Sequence, residues 1–174
     1  MSTPELSRIV KLRPQPPERL TVTAGEAERA ALAARFAIPE VRSLVAELSL
    51  VADGKAVSAR GRLTADLVQS CAVSGEAFPV RVAEPLDLLF VPEGSLDPAD
   101  DEEGVEIDSD GPDEIEYQGE TFDLGEAVAQ SLGLAIDPYA EGPEAEAVRR
   151  AAGIIDEDAP RGALAEALAR LSKR

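Results

Sequence analysis

From Ser43 the chain alternates with a period of two. Leu44, Ala46, Leu48 and Leu50 alternate with Val45, Glu47, Ser49 and Val51; past Asp53-Gly54, Val57, Ala59, Gly61 and Leu63 alternate with Ser58, Arg60 and Arg62. Successive side chains of a strand point to opposite faces, so this pattern predicts two half-buried strands. Asp53-Gly54 supplies the tight turn between them, because its residues tolerate positive φ. Gly61, alone inside a strand, marks a bulge or a close backbone approach. The segments from Phe78 to Val82 and from Leu86 to Val91 read as further strands, and Pro85 between them implies a bend or an edge position. Leu6 to Leu12 reads as a short, mildly basic strand stopped by Pro14, Pro16 and Pro17. Ile115, Tyr117 and Phe122 around Gln118-Gly119 suggest a small hairpin.

Two stretches change to helical spacing. Thr23 followed three residues later by Glu26 is a capping-box pattern, and Leu32 and Phe36 then share one helical face, which predicts a helix over 24–36 that ends before Pro39. Leu124, Val128, Leu132 and Ile136 form a stripe at spacing four. Asp123 caps that helix, Glu126 stands at the matching capping position, and Pro138 ends it. A weaker stripe, Leu164, Leu168 and Leu171, predicts a C-terminal amphipathic helix after an irregular stretch. Strands and helices in separate runs define an α+β class: an antiparallel sheet, curled toward a barrel, with the two main helices packed on it. One domain over 1–143 is expected, followed by an irregular tail over 144–174.

Charge adds a division that hydropathy does not show. The chain of 174 residues carries a net charge of −17, but there is no Lys or Arg between Arg81 and Arg149. The residues from Val82 to Val148 hold 21 acids; the rest holds 34 − 21 = 13 acids against 17 bases, a net +4. Within the acidic part, 93–114 is rich in Gly, Pro and acids and reads as a mobile insertion that cannot bury enough apolar surface to offset chain entropy. A field of this sign repels phosphate backbones and attracts basic proteins.

Residue chemistry narrows the function classes. No histidine and one cysteine, Cys71, leave no His-based triad, no disulfide within the chain and no usual zinc framework, so neither catalysis nor a cofactor is expected. A nucleophilic cysteine needs a base or a positive site to form its thiolate, and nothing near Cys71 in sequence supplies one, so its own surroundings favour a buried structural cysteine. No apolar run is long enough to cross a membrane, and the N-terminus lacks the basic-then-apolar pattern of a signal peptide, so the cytoplasm is the expected compartment. The best basic patches are Arg8 and Lys11 with Arg13 and Arg19, and Arg60 with Arg62, which Arg81 joins. None has interleaved aromatics of the kind that stack on single-stranded nucleic acid.

Three blocks then carry a resemblance. The first runs from Glu26 to Phe36. The second runs from Gly61 through Gln69, Cys71 and Gly75 to Pro79-Val80 and the strand from Leu86 to Pro92. The third runs from Glu116 through Asp123, Leu124 and Glu126 to Asp137-Pro138-Tyr139. In this order, with an acidic gap before the third, they resemble the alphaproteobacterial branch of the YceD family. The likeness implies a non-catalytic factor supporting accumulation of large-subunit ribosomal RNA. Its implied partner is a basic protein of the large ribosomal subunit, large-subunit RNA precursor, or both. The family offers no catalytic residues to transfer. The resemblance puts Gln69 and Cys71 forward as a functional surface, beside the basic candidates Arg60, Arg62, Arg8 and Lys11. Relatives carry a Thr-Leu-Glu-Pro-like sequence after Cys71, where this chain has Ala72-Val73-Ser74-Gly75, and some carry further cysteines that it lacks. The competing reading is an acidic protein-interaction module with no ribosomal role.

Overall fold

The computed structural model describes residues 4–95 and 111–154. Its elements in chain order are β1 (Ile9–Lys11), β2 (Arg19–Thr23), α1 (Glu26–Arg35), β3 (Glu40–Asp53), β4 (Ala56–Ser70), β5 (Ala77–Pro92), β6 (Asp113–Tyr117), β7 (Thr121–Asp123), α2 (Leu124–Ala135) and α3 (Ala145–Ala151). The α+β class is as expected. The C-terminal stripe at Leu164, Leu168 and Leu171 lies outside the described residues.

The long alternating pair forms β3 and β4, in continuous antiparallel register from Asp53↔Ala56 to Ser43↔Asp66. The two-residue turn is Gly54-Lys55, one position later than the Asp53-Gly54 expectation, because Asp53 still pairs with Ala56. Gly54 has φ +61, the positive value that the first position of a type II′ hairpin turn requires. β5 runs unbroken through Pro79 and Pro85 where two segments had been expected, and of the two readings of Pro85, a bend or an edge position, the edge position holds. The prolines are accommodated because β6 pairs only with Leu88–Pro92, so both sit where β5 is an edge and no ladder N–H is missed on that side.

The sheet has the order β2-β3-β4-β5-β6, four strands antiparallel and β6 parallel to β5. It is open, not closed into a barrel. Among the described residues its end strands β2 and β6, five residues each, do not pair with one another. Its core face is covered instead by the helices and by a separate β1–β7 ribbon. The hairpin expected around Gln118-Gly119 does not form. Tyr117 and Phe122 bury on either side of that corner, and β6 and β7 join different sheets. Asp113 and Glu114, expected inside the acidic insertion, belong to β6.

The core uses the alternation directly. Leu44, Ala46, Leu48 and Leu50 of β3 and Val57, Ala59, Leu63, Ala65 and Leu67 of β4 are buried, and Leu32 of α1 and Leu124, Val128 and Leu132 of α2 join the same cluster. Each large aliphatic side chain buried this way contributes about 1.5–3 kcal/mol, so these faces dominate fold stability.

The helix starts differ in how far they follow the sequence pattern. Asp123 caps α2, accepting from the N–H groups of Gly125 and Glu126. Glu126 does not close a capping box; its carboxylate is taken by Arg35 of α1, at 2.9 and 3.0 Å. α1 starts two residues later than expected, with Gly25 as N-cap and its N–H donating to Glu28 at 2.7 Å. Thr23 is held in β2 opposite Val45 and so cannot cap. Arg8 fixes Glu28 from the other side, at 2.6 and 2.9 Å, and that guanidinium lowers the Glu28 carboxyl to about 2. A short helix, α3, stands where the tail was expected to be irregular.

Candidate interaction surfaces

β4 carries the sequence candidates, and the pleat separates them. Arg60 and Arg62 are exposed on the face of the sheet away from the core. Ladder register places Arg19, Ser49, Arg60 and Asp87 in one row across β2, β3, β4 and β5, and Glu47, Arg62 and Pro85 in the next. Arg60 Nε donates to Asp87 Oδ1 at 2.9 Å; both groups are about half exposed or more, so the pair is worth at most about 1 kcal/mol. Arg62 has no ion pair among the described residues. Between Arg19 and Arg60, over Gly61, lies an open groove of about 420 Å³ that also meets Thr21, Glu47 and Ser49.

Gln69 and Cys71, expected on a functional surface, are buried, 4% and 3% exposed. The turn after α2 covers them. Gln69 Nε2 donates to the Asp137 carbonyl at 2.9 Å, and Ala72 N–H donates to the Ala140 carbonyl at 3.0 Å. Gln69 Oε1 has no hydrogen-bond partner among the described residues. Cys71 Sγ accepts from the N–H groups of Val73 and Ser74, both at 3.4 Å. The Ser74 hydroxyl, followed by the backbone amides of Ser74, Gly142 and Val73, pulls the thiol down to about 7. The sequence offered no base near Cys71; the structure supplies uncharged donors instead, Gly142 from a distant loop and Ser74 from the local turn. Only the Ser-Gly pair after Cys71 was a visible signal.

This geometry fixes a pH dependence. The folded thiol lies below its unfolded value, so ionisation stabilises the fold fully above the unfolded range near pH 8.5–9, and that gain is lost as pH falls through about 7. The thiolate absorbance of the native protein should rise with a midpoint near 7, against a Cys71→Ser blank, and move above 8 in denaturant. Equal midpoints in the two states would show that the donors do not act on the sulfur.

The expected patch of Arg8, Lys11, Arg13 and Arg19 is divided: Arg19 stands in the row with Arg60, while Arg8 and Lys11 stand on the segment that leads into and forms β1. Arg8 is half-buried and its guanidinium is taken up by the Glu28 carboxylate and by the Thr23 and Ser7 carbonyls. Lys11 is exposed on β1, opposite Thr121. The acidic half of the chain also has a defined surface. A groove of about 320 Å³ lies between β6–β7 and α2, lined by the aromatic rings of Phe90, Tyr117 and Phe122 and by Glu116, Asp123 and Glu126. Among the described residues there is no cluster of side chains that could hold a metal ion, and no helix long and apolar enough to cross a membrane.

An open mixed sheet with helices on one face, and with arginines interleaved with Glu47, Asp66 and Asp87 on the other, defines an α+β protein without a recognisable catalytic or metal cluster among the described residues. The chain belongs to the YceD family: a family model described as the large ribosomal RNA subunit accumulation protein YceD matches residues 59–162. That span begins in β4 and takes in Cys71, β5, β6 and α2, and so holds two of the three blocks that carried the resemblance. The family is described by the accumulation of an RNA, not by a reaction. No curated protein and no solved structure matches the chain.

Proposed function

We propose that this chain supports large-subunit ribosomal RNA accumulation without catalysis, in the cytoplasm, by binding a basic protein of the large ribosomal subunit before that protein reaches its RNA. The observation that carries the reading is the charge division: 21 acids and no base from Val82 to Val148, with net +4 elsewhere. A basic ribosomal protein free of RNA needs its charge screened, and a surface of carboxylates does this while repelling the phosphate backbone. Arg60 and Arg62, on the far face of the sheet, serve as the contact to large-subunit RNA precursor, with Gln69 and Cys71 holding the end of β4 beneath the turn that covers them.

The test is affinity purification of the full chain from cells, with and without nuclease, identifying both protein and RNA. A basic large-subunit protein that stays bound after nuclease treatment is the expected result. Loss of the chain should lower large-subunit RNA relative to small-subunit RNA. Recovery of non-ribosomal partners alone, with unchanged RNA levels, would replace this reading with that of a plain acidic interaction module. Cys71→Ser should leave large-subunit RNA levels unchanged; their collapse in a folded variant would reopen catalysis.

A further inference from the structure

We propose that Pro79, Pro85 and Glu84 keep the free edge of β5 closed against a second copy of this chain. Strand pairing through that edge would join two five-stranded sheets into one, and these three residues block it.

The free edge is long. β6 pairs with β5 only at Leu88–Pro92, so among the described residues the stretch from Ala77 to Asp87 has no ladder partner on its outer side. The ladder with β4 fixes which backbone groups face out. Cys71 N–H donates to the Glu76 carbonyl at 2.8 Å, and the register then runs without a shift from Ser70↔Ala77 to Val57↔Phe90. Hydrogen-bonded and non-hydrogen-bonded pairs alternate along an antiparallel ladder. Even-numbered residues of β5 therefore turn their backbone groups to β4, and odd-numbered ones turn them out. Glu93 N–H, which donates to the Tyr117 carbonyl at 2.9 Å, continues the same phase on the β6 side. The outward set is Ala77, Pro79, Arg81, Ala83, Pro85 and Asp87, and both prolines fall in it.

A second copy could use the whole of this edge in one antiparallel register, centred on Val82. There Ala77 opposes Asp87, Pro79 opposes Pro85 and Arg81 opposes Ala83 of the other copy. Charge does not forbid it, since Arg81 and Asp87 each meet an alanine. The prolines do. Each lacks the N–H that would cross to the other copy and puts a ring in its place. Of the twelve N–H groups that two such edges would exchange, four are missing, and twofold symmetry sets the prolines against one another. Glu84 adds a charge. It pairs with Leu63 and shares the phase of the buried Val82 and Leu86, so it belongs to the core side of the sheet, yet it is exposed at the open edge. A strand laid there would cover its carboxylate opposite Val80, with no base to meet it, at a heavy desolvation cost. Prolines and inward-turned charges are the means by which bare sheet edges avoid pairing.

The test is analytical ultracentrifugation of the full chain at rising concentration. The native chain should stay monomeric. Pro79→Thr/Pro85→Thr restores the four donors and should produce a dimer, with self-association at least about thirtyfold tighter than in the native chain. Adding Glu84→Val should tighten it further. Hydrogen exchange in the dimer should slow at the Arg81 and Ala83 amides, which face out in the monomer, and stay unchanged at Val82. Arg81→Pro, placed in the Pro79→Thr/Pro85→Thr background, returns a proline to the outward set and should return the monomer. Circular dichroism confirms that each variant is folded; should the double variant not fold, Pro85→Thr alone, with half the donors restored, carries the same measurements. A folded double variant that stays monomeric would overturn the proposal. So would a native chain that already dimerises with slow exchange at Arg81 and Ala83, or a variant dimer in which those amides remain fast or which survives Arg81→Pro.

Discussion

Gly61→Ala is expected to cost about 3–5 kcal/mol, among the largest effects of any single methyl addition in this chain. A Cβ built on Gly61 would stand 1.8 Å from the Glu47 carbonyl oxygen and 2.9 Å from both the Glu47 carbonyl carbon and the Leu48 Cα. These are backbone atoms, so no rotamer change relieves the overlap. β3 cannot retreat locally either, since its neighbours on both sides of Leu48 stay in continuous register with β4 and, across Arg19–Thr23, with β2. Strand separation must grow over several pairs, loosening Leu48 and Leu63 in the core. At roughly 2–4 °C per kcal/mol for a chain of this size, the melting temperature should fall by about 10 °C. Gly54→Ala is the control: it also replaces a glycine of the same hairpin, but nothing lies within 4 Å of its new Cβ, and only the φ of +61 is strained, at about 1 kcal/mol. A Gly61→Ala protein that melts no lower than Gly54→Ala would disprove the close approach.

The same position shows where sequence reasoning reached and where it stopped. Gly61 stood out because it interrupts an alternating strand, and the close approach anticipated there is what the structure contains. Periodicity of two found β3 and β4 because one face of each is buried and the other is wet. It divided β5 into two segments at Pro85, where the edge position that this proline also implied is what the structure contains, without any break. Partnering was least legible. Tyr117 and Phe122 look like facing strands of a hairpin, yet β6 goes parallel to β5, 25 residues back, and β7 goes to β1, more than 100 residues away along the chain. Thr23-Glu26 matched a capping box as a string, but the backbone of Thr23 was already committed to β2. For the candidate surfaces, charge segregation was fully visible in the sequence. The burial of Gln69 was not, because the Asp137–Gly142 turn that covers it carries no pattern pointing to β4, whereas a buried structural Cys71 is what its own surroundings favoured. The ring cluster of Phe90, Tyr117 and Phe122 was equally hidden: it combines residues from β5, β6 and β7 that only the tertiary fold brings together in the core.

Asp123→Ala should be the second severe substitution, costing about 3 kcal/mol, because one carboxylate joins two ends of the molecule. Oδ1 accepts from Arg8 N–H at 2.7 Å, from Gly125 N–H at 3.0 Å and from Glu126 N–H at 3.2 Å, while Oδ2 accepts from the Ser7 hydroxyl at 2.6 Å. The two helix amides alone account for an ordinary cap worth about 1 kcal/mol. The rest comes from the Arg8 amide and Ser7 hydroxyl, part-buried donors that alanine would leave unpaired at roughly 1–3 kcal/mol. The N-terminal segment lies directly on this turn: Leu124 N–H donates to the Arg8 carbonyl at 3.0 Å, and Gly125 leaves room for the chain, since a Cβ there would sit 2.6 Å from Arg8 N. Loss of the carboxylate should therefore free β1 from β7 as well as fray α2. Hydrogen exchange should quicken at Arg8, Gly125 and Glu126 together, with Val68 and Leu88 amides unaffected. Asp123→Asn keeps an acceptor but not the charge, and should lose about half as much. Unchanged protection at Arg8 in Asp123→Ala would mean that the β1–β7 ladder holds without the carboxylate.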